Sequence, residues 1–79
     1  MKYVYMLRSV SNPDRYYTGS TVDIDRRLAE HNAGESNHTR KFMPWKLEGY
    51  LAFSDFKKAD EFEAYLKTAS GRTFAKRHF

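Results

Sequence analysis

Two short runs rich in β-forming residues, Tyr3 to Ser9 and Tyr16 to Ser20, flank the turn-forming segment Ser11-Asn12-Pro13-Asp14. Residues of these types in this order read as a β-hairpin. Side chains alternate along a strand, so Tyr3, Tyr5 and Leu7 share one face of the first strand, while Tyr17 and Gly19 share one face of the second. The hairpin can thus bring Tyr5 and Tyr17 together. Gly19, with no side chain, leaves room for a substrate backbone or the following helix to approach.

Thr21 or Asp23 can cap the helix that follows, its first turn is acidic, and Asn32-Ala33-Gly34 supplies a stop. The pattern predicts a helix from about Val22 to Ala33. After a polar, basic loop from Glu35 to Pro44, Trp45 to Ser54 reads as a third strand. Ser54-Asp55 then caps a second helix through about Thr68, and Ser70-Gly71 opens a last one to Phe79. The order β-β-α-β-α-α implies a three-stranded antiparallel sheet flanked by helices, an α+β fold occupying residues 1–79 as one domain.

A chain of 79 residues is close to the lower size limit for independent folding. Twelve of its thirteen aromatics are Tyr or Phe, which bury much area for their number and help a thin core close. The absence of cysteine removes both a disulfide framework and thiolate metal sites, and suits a reducing compartment. No apolar run approaches membrane-spanning length, and the Met1-Lys2-Tyr3 start lacks the apolar stretch of a signal peptide, so the expected location is the cytoplasm. A net charge of +4 favours a polyanionic partner.

Two helices carry polar groups on faces that should pack a core. In the first, Ile24, Leu28 and His31 form one stripe with Arg27 at its margin, while Arg26 and Glu30 turn to solvent. A cation and an imidazole placed inward cost desolvation energy unless a partner or substrate meets them. In the second, Ala59, Phe62 and Leu66 form the stripe, and Glu63 falls on it. A carboxylate there either pairs with a cation such as Arg27 or binds a metal. Arg27 has a further bland partner in Asp23, four residues back. His31, His38 and His78 lack zinc-site spacing. The loop His38-Thr39-Arg40-Lys41-Phe42-Met43-Pro44-Trp45-Lys46 mixes cations with aromatics, as nucleic-acid surfaces do. Arg72, Lys76, Arg77 and His78 either extend a basic face or complement the dipole of the last helix.

Two phenols, a guanidinium, an imidazole and a carboxylate around one surface are the parts of a one-metal nuclease. The elements Val4-Tyr5-Met6, Tyr17-Thr18-Gly19, Arg27 eight residues beyond the glycine, and Glu63 in a later helix resemble the GIY-YIG nuclease superfamily. The likeness covers nearly the whole chain. Its run Arg26-Arg27-Leu28-Ala29-Glu30-His31-Asn32 is similar to the branch containing the structure-specific junction nuclease subunit and small stand-alone bacterial proteins. The resemblance implies an endonuclease that hydrolyses DNA, branched substrates included, using one Mg²⁺ or Mn²⁺ on Glu63. Its catalytic set would be Tyr5, Tyr17, Arg27, His31 and Glu63, with the phenol at Tyr17 the favoured base and His31 where excision-repair nucleases carry a tyrosine. Ser20 stands where those enzymes have lysine. Ser20, Arg26, His38, Arg40, Lys41 and Lys46 are the candidate DNA contacts. Two rivals remain on sequence grounds: a nucleic-acid-binding module that lacks catalysis or needs a partner subunit, and an adaptor that docks another protein.

Overall fold

The computed structural model describes residues 1–79. The elements are β1 (Lys2–Ser9), β2 (Tyr16–Thr21), α1 (Ile24–Asn32), a 3₁₀ turn (Arg40–Phe42), β3 (Trp45–Phe53), α2 (Phe56–Leu66) and α3 (Ala69–His78). The three strands form one antiparallel sheet in the order β2-β1-β3, with helices on both faces. No helix is long and apolar enough to cross a membrane.

Caps set the helix boundaries. Asp23 accepts from Arg26 N at 3.1 Å and so starts α1; Asp55 accepts from Lys57 N at 2.9 Å and starts α2. The last helix begins earlier than the Ser70-Gly71 pair predicts. Thr68 is its cap, because its Oγ1 takes the Gly71 N–H at 3.1 Å and satisfies one of the free donors of the first turn. The segment expected as plain loop contains the 3₁₀ turn and two buried anchors, Ser36 and Thr39.

The sheet divides the apolar interior in two. On one face Val4 and Met6 pack with Ala59, Leu66 and Ala75 from α2 and α3, flanked by Phe53, Phe62, Phe74 and Phe79. On the other, Tyr5, Leu7 and Trp45 pack with Tyr17, Leu28, Phe42, Met43 and Leu47. Period-two alternation of β1 therefore feeds both layers, which explains why Val4 through Leu7 are buried without interruption. Asn32, the last residue of α1, uses both ends of its amide on Trp45: Oδ1 accepts from Trp45 N at 2.6 Å and Nδ2 donates to Trp45 O at 3.0 Å.

Candidate active site

Register decides how the phenols meet. Tyr5 lies opposite Gly19 and Leu7 opposite Tyr17, so Tyr5 and Tyr17 are diagonal neighbours with ring centroids 6.4 Å apart. A Cβ on Gly19 would come within 2.6 Å of Tyr5 Oη and 2.9 Å of Tyr17 Cε2. The room expected there for a substrate or the next helix is filled instead by these two rings.

His31 projects from α1 into the same layer and is fully buried. Its Nε2 lies 2.9 Å from Tyr5 Oη and its Nδ1 2.7 Å from Thr39 Oγ1, so the imidazole bridges two hydroxyls, donating from one nitrogen and accepting at the other. Thr39 is itself held, since its carbonyl accepts from Trp45 Nε1 at 2.8 Å. The Tyr17 ring stands 5.0 Å from the imidazole. Burial pushes the His31 pKa below the ordinary 6.5, and the nearby Arg27 cation pushes the same way. Burial also raises Tyr5 to about 12, helped by Tyr17 and by the carboxylate of Glu63, against an opposing pull from Arg27. Tyr5 is thus a protonated phenol at any physiological pH.

The depressed His31 pKa has a sign. An unfolded chain takes up the proton at about 6.5, before the native state does, so the neutral imidazole contributes stability that is complete above that value and is lost as pH falls below it toward the native pKa. Urea midpoints measured between pH 8 and 5 are expected to fall below about pH 6.5 in the wild type, and to fall less in His31→Gln. Equal pH profiles for the two proteins would overturn this account.

Arg27 is half-buried and donates from Nη1 to Glu30 Oε1 at 2.8 Å. Neither Asp23 nor Glu63 is its partner. Asp23 is committed to capping α1, and Glu63 belongs to a different face of the sheet. Glu30 also accepts from Arg26 at 3.2 Å; the two guanidiniums, Arg27 foremost, hold its carboxyl below the usual range.

Ser20 lies opposite Val4 and therefore faces α2, where its hydroxyl donates to Glu63 Oε1 at 2.7 Å. Lys67 donates to Glu63 Oε2 at 3.1 Å. Tyr5, Tyr17, Arg27 and His31 accordingly gather on the α1 face, while Glu63 approaches from the α2 face past β2, an edge strand. Glu63 is close enough to Tyr5 for its charge to oppose ionisation of that phenol.

The donor chemistry bears on metal binding. No group of three His, Cys, Asp or Glu side chains gathers in the structure. Glu63 offers a carboxylate about one-fifth exposed with a hydroxyl beside it. That set fits a hard, largely hydrated divalent cation held by one carboxylate, and does not fit a fully protein-ligated ion.

The other candidate contacts are exposed except Ser20. Arg26 is tied to Glu30, Arg40 donates to Gly34 O and Asn37 Oδ1, Lys41 lies over the Phe42 ring, and Lys46 is 3.7 Å from Glu48; His38 sits in the loop between them. Sequence reasoning missed Thr39, Glu30 and Lys67 as parts of the site. For Glu30 and Lys67 a signal existed: each stands three or four residues from Arg27 or Glu63 on the same helix.

Known proteins resemble this chain over most of its length. Residues 1–77 match the GIY-YIG catalytic domain. A UPF0213 protein of Streptococcus pyogenes serotype M3 is 38% identical over 72 residues, covering 90% of this chain and 76% of that protein. The structure-specific endonuclease subunit SLX1 of Debaryomyces hansenii is 44% identical over 50 residues, but these span 56% of this chain and only 14% of the yeast protein. The solution structure of the UPF0213 protein BH0048 from Bacillus halodurans superposes with a TM-score of 0.56 at 33% identity, covering 96% of this chain and 81% of that one. By fold, motif order and extent of match, this chain belongs to the GIY-YIG catalytic-domain family.

Proposed function

We propose that the protein is a divalent-metal-dependent endonuclease that hydrolyses DNA phosphodiesters, acts on branched or single-stranded regions, and serves DNA repair or processing in the cytoplasm. The observation that carries this reading is the convergence of Tyr17 and Arg27 over a buried Tyr5–His31 pair, with the Glu63 carboxylate reaching the same strand edge from the other side. Likeness to a structure-specific endonuclease subunit supports the substrate class.

Burial separates the roles. Tyr5 and His31 are enclosed, so they position rather than touch substrate: the hydroxyl–imidazole–hydroxyl chain fixes the rings against which Tyr17 rests. Tyr17 is the half-buried phenol, and it orients the attacking water by accepting a hydrogen bond from it. Arg27, held in place by Glu30, stabilises the charge that develops on the phosphate. Glu63 and Ser20 would hold Mg²⁺ or Mn²⁺, with Lys67 giving up its contact; bound there, the cation would polarise a phosphoryl oxygen.

The test is cleavage of supercoiled, single-stranded, flapped and four-way-junction DNA with Mg²⁺ or Mn²⁺, with a chelator, and with Arg27→Ala. Cutting by the wild type is expected to require metal, and Arg27→Ala to lower its rate by about 10²–10³-fold with DNA affinity held within a few-fold. Metal-independent cutting, or undiminished cutting by the variant, would overturn the mechanism. Absent cutting with salt-sensitive binding retained would favour a binding module.

A further inference from the structure

A groove of about 500 Å³ runs between β2 and the α2–α3 pair, with Met6, Leu66 and Ala75 in its floor. Its rim carries Arg15 from the β1–β2 turn, Lys67 from the end of α2, and Arg72 and Lys76 from α3, against a single carboxylate, Asp14. Of the four cations only Lys67 takes part in any ion pair, and that one is to Glu63. Tyr16 supplies an aromatic wall, with the Lys76 ammonium 5.7 Å from its ring; the Tyr17 ring turns to the α1 face.

Helix electrostatics account for Lys76, in the last turn of α3 where the dipole favours a cation, but not for Arg72. Arg72 stands in the first turn of α3, where the dipole disfavours a cation, and Arg72 and Lys76 are like charges four residues apart on one helix. Both arrangements are unfavourable in the free protein, and a bound polyanion relieves both. The groove also adjoins the proposed cleavage centre, because Tyr17 lines it and Lys67 reaches from it to Glu63.

We infer that this groove binds a single-stranded segment of nucleic acid leading away from the scissile phosphate. Concavity selects a single strand over a duplex: a continuous backbone can lie among cations from three segments while a base meets the Tyr16 ring, the combination that single-strand binding uses. Ser20, Arg26, His38, Arg40, Lys41 and Lys46 all lie outside this groove, whereas Arg72 and Lys76, which the sequence offered as an extension of the basic face, line it, so it is a second surface. The inference rests on the nuclease reading for its meaning, but binding can be tested apart from cleavage.

The experiment is fluorescence anisotropy in chelator, using a labelled 20-nucleotide oligo-dT and a labelled hairpin duplex across a salt series. Arg72→Ala/Lys76→Ala is expected to bind oligo-dT at least tenfold more weakly, with a salt slope reduced by about 1.4 for two lost phosphate contacts. Arg15→Ala, from a different segment, is expected to weaken it about three- to fivefold. Lys57→Ala/Lys58→Ala removes the same charge from exposed positions outside the groove and is expected to change affinity less than twofold. Thermal melts confirm that each variant is folded. Equal weakening by the two double variants, or an equal loss of duplex and oligo-dT affinity in Arg72→Ala/Lys76→Ala, would overturn the inference. Groove-dependent binding without any metal-dependent cutting would reject the nuclease reading alone, whereas cutting with no groove effect would reject the groove alone.

Discussion

Glu63→Gln is expected to lower metal-dependent cleavage by about 10³-fold or more, because it removes the one carboxylate available to a cation while keeping the side chain's shape. The substitution is mild for the fold. A glutamine Oε1 can still accept from Ser20, and the lost contact to Lys67 is a largely exposed i,i+4 pair worth about 0.3–0.5 kcal/mol at most. Loss of cutting with an unchanged melting temperature and unchanged DNA affinity would therefore place the effect on the chemical step. Wild-type rates in the variant would remove Glu63 from the site.

The second large effect concerns folding. Gly71→Ala is expected to destabilise the protein by about 3 kcal/mol or more, close to the whole stability of so small a domain. A Cβ at Gly71 would fall 1.8 Å from the carbonyl oxygen of Tyr65 and 2.6 Å from Leu66 Cα. These are backbone atoms, so no rotamer change relieves the overlap, and α2 and α3 must separate across the layer that buries Leu66 and Ala75. At roughly 4–8 °C per kcal/mol for a domain this size, thermal unfolding followed by circular dichroism should shift down by about 12 °C or more. Gly49→Ala is a control, since a Cβ there meets only ordinary contacts with Phe79, the nearest at 3.5 Å. A Gly71→Ala midpoint within a few degrees of the wild type would contradict the packing described.

Gly71 also marks where the sequence was readable and where it was not. As a letter it suggests a helix start; its actual constraint is the close approach of another helix, which no local pattern encodes. Helix caps at Asp23 and Asp55 were legible because an N-cap and its donors lie within three residues. The shared face of Tyr5 and Tyr17 was legible because strand alternation is strict, and the inward position of His31 because the helical period is. Partners are harder. Thr39 completes the His31 chain from a loop whose path depends on Trp45, and Glu63 lies on the α2 side of an edge strand with Ser20 and Lys67, so of the two alternatives periodicity left open for it the pairing with Arg27 does not form. The GIY-YIG resemblance supplied the order of the candidate site residues; the burial that divides them into enclosed and partly exposed groups comes only from the fold.

The paired hydrogen bonds from Asn32 to Trp45 acquire a second meaning at the level of assembly. A carboxamide that accepts from a residue's N–H and donates to its C=O presents the same two groups that a neighbouring strand would present. Asn32 thus stands in for a fourth strand at the start of β3, and its side chain occupies the outward-facing backbone groups through which another chain could extend the sheet. Because the same residue closes α1, the helix bearing Arg27 and His31 is latched to the sheet margin it protects.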